Sequence, residues 1–182
     1  MALGDVTSTE RGSGARYNDG KAPLELIPLR LIVDTLDPSG FSEEQEAVGR
    51  ALVALGRFQE GGIVEHLHDA LRELDYDGRA WELCADVFSY GRFKYAAWNW
   101  AKGMSWSAVI GCAGRHGLAV LKGEVFDPIE KKGSGREHRG HLMCNLVMLA
   151  TFYRTYPEGD DRPPASLFQP TTPAIPADPH FA

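Results

Sequence analysis

Apolar residues along this chain recur mainly at intervals of three and four, the spacing of helices that turn one face to a core. Leu29, Ile32, Val33 and Leu36 predict a short helix after Pro28, closed by Asp37-Pro38-Ser39-Gly40. Ser42 with Gln45 has the spacing of a capping box and opens a helix to about Phe58, with Val48, Leu52 and Leu55 on one side and Gly61-Gly62 at its end. A third amphipathic segment runs from Ile63 through Leu67, Leu71 and Leu74. A fourth begins at Arg79 or Ala80, with Trp81, Cys84, Phe88 and Tyr95 predicted on its inner face. The stretch from Trp106 to Leu121 puts Val109, Ala113, His116 and Val120 on one stripe. From His138, the positions His138, His141, Asn145, Met148 and Phe152 share a face. No alternation long enough to build a sheet interrupts these segments, so the pattern predicts an all-α fold.

With 182 residues, 43% of them hydrophobic, the chain is sized for one domain with a sizeable core. Residues 1–15 are rich in Gly, Ser and Thr and are expected to form a flexible tail, and the proline-rich 157–182 a second one. That leaves 16–156 as the domain. A formal charge of -6 argues against nucleic acid as a partner, while leaving room for a local basic pocket. No signal-peptide core and no membrane-length apolar run is visible, so a soluble cytoplasmic protein with no membrane partner is expected. Cys84, Cys112 and Cys144 are odd in number and lie among apolar residues, as buried reduced thiols do.

Candidate chemistry concentrates between residues 81 and 149. His138, His141 and Asn145 enter a stripe that Met148 and Phe152 mark as inward, and buried polar groups need partners: a metal, a polar ligand or a hydrogen-bond network. Glu124, Asp127 and Glu130 recur at intervals of three before a glycine-rich turn, an oxygen cluster of the kind hard cations take. His116 points inward beside Arg115, which equally fits a buried, hydrogen-bonded histidine. Lys21 follows the turn Asn18-Asp19-Gly20 and is either aimed at a phosphate or simply solvated. Lys94, Asn99 and Lys102 are interleaved with Tyr95, Trp98, Trp100 and Trp106, a pattern open to base stacking or to plain core packing. Glu82 and Asp86, one helical turn apart, form either a solvated acidic face or part of a metal or catalytic site.

Together these pieces resemble a known family. YNDGKAPLELIP (17–28), FSYGRFKYAAWNWAKGMSW (88–106), Arg115-His116, GEVFD (123–127) and SGREHRGHLMCN (134–145) run in the order found in the phage dATP/dGTP diphosphohydrolases, the MazZ-type branch of the MazG-like nucleotide pyrophosphohydrolases. The resemblance implies a MazG-like helical bundle, assembled as a homo-dimer or tetramer. It implies Mn²⁺- or Mg²⁺-dependent hydrolysis of a purine deoxynucleoside triphosphate, dGTP or dATP, to the monophosphate and pyrophosphate. Its setting is phage 2-aminoadenine nucleotide metabolism. Residues 37–78 look like a helical insertion relative to shorter members.

On this basis Glu124, Asp127, His138 and His141 are the expected metal ligands, and Glu82 or Asp86 a further ligand or the general base. Lys21, Lys94 and Arg115 are candidates for the phosphates, Asn99 and Trp100 for the base or sugar, and His116 for substrate binding. Two alternatives stand beside this. One is an HD-type phosphohydrolase built on His68-Asp69; the other is a non-catalytic nucleotide-binding module.

Overall fold

The computed structural model describes residues 2–3, 5–18 and 20–169. The expected tail over 170–182 lies outside the described residues. Six helices carry the fold, as the periodicity predicts: α1 (Leu29–Asp34), α2 (Glu43–Gln59), α3 (Glu65–Leu74), α4 (Ala80–Tyr95), α5 (Trp106–Leu121) and α6 (His138–Thr155). The extended structure among the described residues is minor. Ala2–Leu3 pairs antiparallel with Arg16–Tyr17, and a single bridge joins Phe126 to Glu137.

Helices α5 and α6 form the centre, with α4 and α3 against α6 and α2 against α5. Val109, Ile110 and Ala113 of α5 and Leu142, Met143, Leu146 and Leu149 of α6 are almost wholly buried. Close approach sets the seams. A β-carbon on Gly140 would stand 2.7 Å from the Leu83 carbonyl oxygen, so α6 meets the α4 backbone there with no room for a side chain. This explains a correction to the predicted face of α4. Its buried residues are the small Ala80, Cys84 and Val87, while Trp81 is exposed and Phe88 half-buried.

Residues 37–78 supply much of the core. Ser42 Oγ accepts the Gln45 N–H and Gln45 Oε1 accepts the Ser42 N–H, completing the predicted capping box. Behind that cap, Val48, Leu52, Leu55 and Phe58 are fully buried. Arg139 of α6, 2% exposed, reaches across to this region and pairs with Asp77 at 2.9 Å and Glu44 at 3.3 Å, beneath the Tyr76 ring.

The two flanking segments have defined contacts. Gly12 N–H donates to the Lys102 carbonyl and Gly14 N–H to that of Gly103, while Lys102 Nζ donates back to the carbonyls of Asp5 and Ser8. Residues 5–15 thus lie along 99–103 instead of trailing away. Beyond α6, Arg162 donates to the Phe58 and Gly62 carbonyls, with its guanidinium 4.0 Å from the centre of the Phe58 ring.

Candidate active site

A cavity of about 710 Å³ opens beside α4, α5 and α6, within the range of small-molecule sites. Its polar end is made by α5, the start of α6 and the loop between them. The loop folds back because Asp127 N–H donates to the Arg136 carbonyl and His138 N–H to that of Val125. Glu124 and Asp127 are thereby brought alongside His138 and His141, which the helical spacing had already put on one inward face.

Three imidazoles meet there. His116 Nδ1 and His138 Nδ1 are 2.8 Å apart, and the His116 and His141 rings stack at 4.3 Å with an interplanar angle of 8°. In the Nδ1 contact one ring donates and the other accepts, so a neutral donor ring leaves its own Nε2 bare. His138 Nε2 is buried with no hydrogen-bond partner and stands 3.8 Å from Glu124 Oε2. His141 Nε2 is 3.8 Å from Asp127 Oδ2 and 2.6 Å from Ser134 Oγ, while Asp127 accepts the Ser134 N–H at 2.7 Å.

Burial, with His116 adding to it, holds His141 down to about 3, and the same causes lower His138. Both rings are therefore held neutral. Asp127 goes the other way from its burial. Desolvation pushes it up, but the Ser134 N–H and the neighbouring His116 outweigh that and keep it below the usual carboxylate range.

The charge around the cavity is lopsided. Among the described residues its lining carries Arg16, Lys21, Arg92, Lys94 and Lys132 against one carboxylate, Asp127, in a chain of net charge -6. Arg16 donates to Asn145 Oδ1 and otherwise faces the sulfur atoms of Met104 and Met148 at 3.7 and 3.8 Å. No carboxylate among the described residues pairs with it. Cys112 also lines the cavity. Burial pushes its thiol up, but Arg16 and His116 outweigh this and leave it well below the ordinary thiol range.

The far end of the cavity is aromatic. Trp100 stacks on Phe88 at 5.2 Å, forming a wall, and the exposed Trp98 lies 5.9 Å from Trp100. Asn99, between them in sequence, is buried and accepts the Ala15 N–H at 2.7 Å.

The cavity thus gathers Lys21, Lys94, Asn99, Trp100, His116, Asp127 and His141 from the expected set. His138 lies behind the lining, in contact with it through His116, and the exposed Glu124 stands 3.8 Å from His138 Nε2. Arg115 is turned aside, donating to the Ala22 carbonyl and Asn18 Oδ1 at 2.8 Å each. Glu82 and Asp86 are not brought to the cavity. The Ala80–Cys84–Val87 seam rotates both onto the solvent face of α4, where Asp86 pairs with Arg136 at 2.7 Å. His68 and Asp69 lie on α3 outside the cavity lining, Asp69 paired with Arg72.

Sequence reasoning missed Arg16 and Ser134. Arg16 sits in a two-residue strand, too short for any periodicity to flag it. The one available signal for Ser134 was its place in the glycine-rich turn before the histidine helix.

A metal centre can be tested against these donors. Among the described residues no group of three or more His, Cys, Asp or Glu side chains is arranged to hold a metal ion. The two His–carboxylate pairs are nonetheless spaced like donors sharing a cation, since ligands about 2.1 Å from one ion stand roughly 3–4 Å apart. The orphaned His138 Nε2 fits such a role in kind. A family model described as dATP/dGTP diphosphohydrolase, N-terminal, matches residues 69–162, just over half of the chain. No curated protein and no solved structure matches.

Proposed function

The chain belongs to the dATP/dGTP diphosphohydrolase family by its N-terminal model, and from that membership we propose that the 710 Å³ cavity binds a purine deoxynucleoside triphosphate and releases pyrophosphate, leaving the monophosphate. The observation that carries this reading is the excess of five cationic side chains over one carboxylate on the cavity lining of an acidic protein. A polyphosphate is the ligand such a field selects.

In the reaction, a water oxygen bonds to the α-phosphorus, the bond from that phosphorus to the bridging oxygen breaks, and pyrophosphate departs with the electron pair. Asp127, held ionised on the lining, accepts a hydrogen bond from the water and orients it, the proton passing on to solvent. Arg16, Lys21 and Lys94 hold the phosphate oxygens, where charge builds as the bond breaks. Neutral His141, bonded to Ser134 Oγ, keeps the loop carrying Asp127 against α6.

Glu124, Asp127, His138 and His141 are the groups that would hold Mn²⁺ or Mg²⁺. Such an ion, when bound, neutralises phosphate charge and lowers the pKa of water, and the imidazoles favour Mn²⁺. The same turnover would supply dGMP and drain dATP, as a phage making 2-aminoadenine DNA requires. Exposed Phe93, Phe126 and Ile129 are apolar residues that self-association would cover, which light scattering tests.

The deciding experiment incubates purified protein with each dNTP and Mn²⁺ or Mg²⁺ and resolves the products. Monophosphate with pyrophosphate supports the proposal. Release of triphosphate or inorganic phosphate instead would favour the HD-type alternative, and binding of dGTP without hydrolysis the non-catalytic one.

A further inference from the structure

Asn99 is 5% exposed, yet its two ends are treated differently. Its Oδ1 accepts the Ala15 N–H at 2.7 Å, and because an N–H can be met only by an acceptor, this contact fixes which end of the amide is oxygen. The amide nitrogen is then directed away from Ala15. It is buried without a partner, in a residue that lines the cavity. A buried donor in that state is satisfied when a ligand brings an acceptor to it.

The position of that donor says which part of a nucleotide it meets. Asn99 is flanked in sequence by Trp98 and Trp100, which together with Tyr95 line the aromatic end of the cavity. Asp127, His141 and Arg16 mark the phosphate end. Ala96 and Trp98, both on the lining at this end, adopt positive φ, at 67° and 62°. A base stacked there presents its edge to Asn99.

Adenine and guanine differ at position 6, where one carries an amino donor and the other a carbonyl acceptor, but both carry an acceptor at N7. Pyrimidines have no ring nitrogen there. We propose that the Asn99 amide nitrogen donates to purine N7 and is the specificity-determining contact that admits dATP and dGTP alike while disfavouring dCTP and dTTP. This rests on the cavity being the nucleotide site. It further assigns Asn99 a single atom of the base and accounts for a pocket that takes both purines.

The test pairs a substrate change with a protein change. Values of kcat/KM are measured for dGTP, 7-deaza-dGTP, dATP, 7-deaza-dATP and dCTP with the wild-type protein, N99D and N99L. N99D keeps an acceptor for the Ala15 N–H and replaces the donor by a carboxylate oxygen, a charge that each purine and its 7-deaza analogue meet alike, so it guards against a loss of folding in N99L. The wild type should prefer each natural purine over its 7-deaza analogue by about tenfold, the worth of one such hydrogen bond. In N99D and N99L that ratio should fall to near one, and the preference for dGTP over dCTP should shrink with it.

An undiminished ratio in N99D, or a wild type indifferent to the 7-deaza change, would overturn the assignment even if dGTP is cleaved to dGMP and pyrophosphate. Should the wild type cleave no dNTP, the functional reading fails separately. The same ratio is then read from dissociation constants, where its presence supports the Asn99 contact and its absence refutes it.

Discussion

Replacing Arg16 by Met should lower activity while leaving the protein as stable as before or more so. The guanidinium is half-buried, donates to a single amide oxygen, and faces two thioethers, with no carboxylate among the described residues to offset its charge. Holding such a cation out of water costs the folded state free energy that only an anionic ligand returns. A charge-assisted hydrogen bond to phosphate is worth about 1.5–3 kcal/mol, so R16M should reduce kcat/KM for dGTP by about 10- to 150-fold. Meanwhile a methionine beside Met104 and Met148 removes the desolvated charge and extends an existing apolar contact. A gain of about 1 kcal/mol corresponds to a rise in Tm of roughly 2–4 °C for a chain of this size. Steady-state kinetics and a thermal melt on the same preparation read the two effects. If R16M lost activity and melted well below the wild type together, Arg16 would be a structural residue and the account of it as a phosphate ligand would fail.

The remaining expectations concern proton uptake, the site carboxylates and backbone strain. His141 is held to about 3 in the folded protein against an ordinary 6.5, so in chelator-treated protein its contribution to stability is complete above pH 6.5 and is lost as the pH falls toward 3. From pH 8 to pH 5 that loss is about 2 kcal/mol, and urea titrations should show it shrinking in His141→Gln; a slope unchanged by the substitution would contradict it. D127N should abolish pyrophosphate release while E82Q, on the solvent face of α4, keeps near wild-type kcat/KM; equal losses in the two would place the chemistry elsewhere. Ala96, at φ 67° and ψ 156°, occupies a region suited to glycine, so A96G should stabilise the fold by about 1 kcal/mol, a gain that denaturant midpoints would reveal or exclude.

Much of the helical framework was legible in the sequence because its signals are local. Pro28, the Ser42–Gln45 pair and the glycines at 61–62 punctuate the chain where the helices break, and the bounds of α5 at Trp106 and Leu121 follow from spacing alone. The inward histidine stripe of α6 was equally visible, since one helix face carries all of it. What escaped depends on how helices meet. Trp81 looked like a better core residue than Ala80 until Gly140 brought α6 against the α4 backbone and left space only for small side chains. That same rotation carried Glu82 and Asp86 out of reach of the cavity. Arg16 went unnoticed for a different reason. The segment bearing it is placed by backbone hydrogen bonds to Lys102 and Gly103, which any residue can make and which therefore leave no trace in side-chain patterning.

The way residues 12–16 are laid along 99–103 bears on how much of the chain constitutes a working unit. Ala15 supplies the contact that orients Asn99, and Arg16 reaches Asn145, whose amide nitrogen donates in turn to the His141 carbonyl. Both ends of the cavity are thus spanned by one short strap lying upstream of residues 69–162, the portion the family model matches. A chain trimmed to that portion would forfeit the strap, along with Leu52, Leu55 and Phe58 of α2. Recombining family members by swapping only the shared portion should therefore yield chimaeras whose substrate behaviour follows the donor of the upstream segment as much as the donor of the histidines.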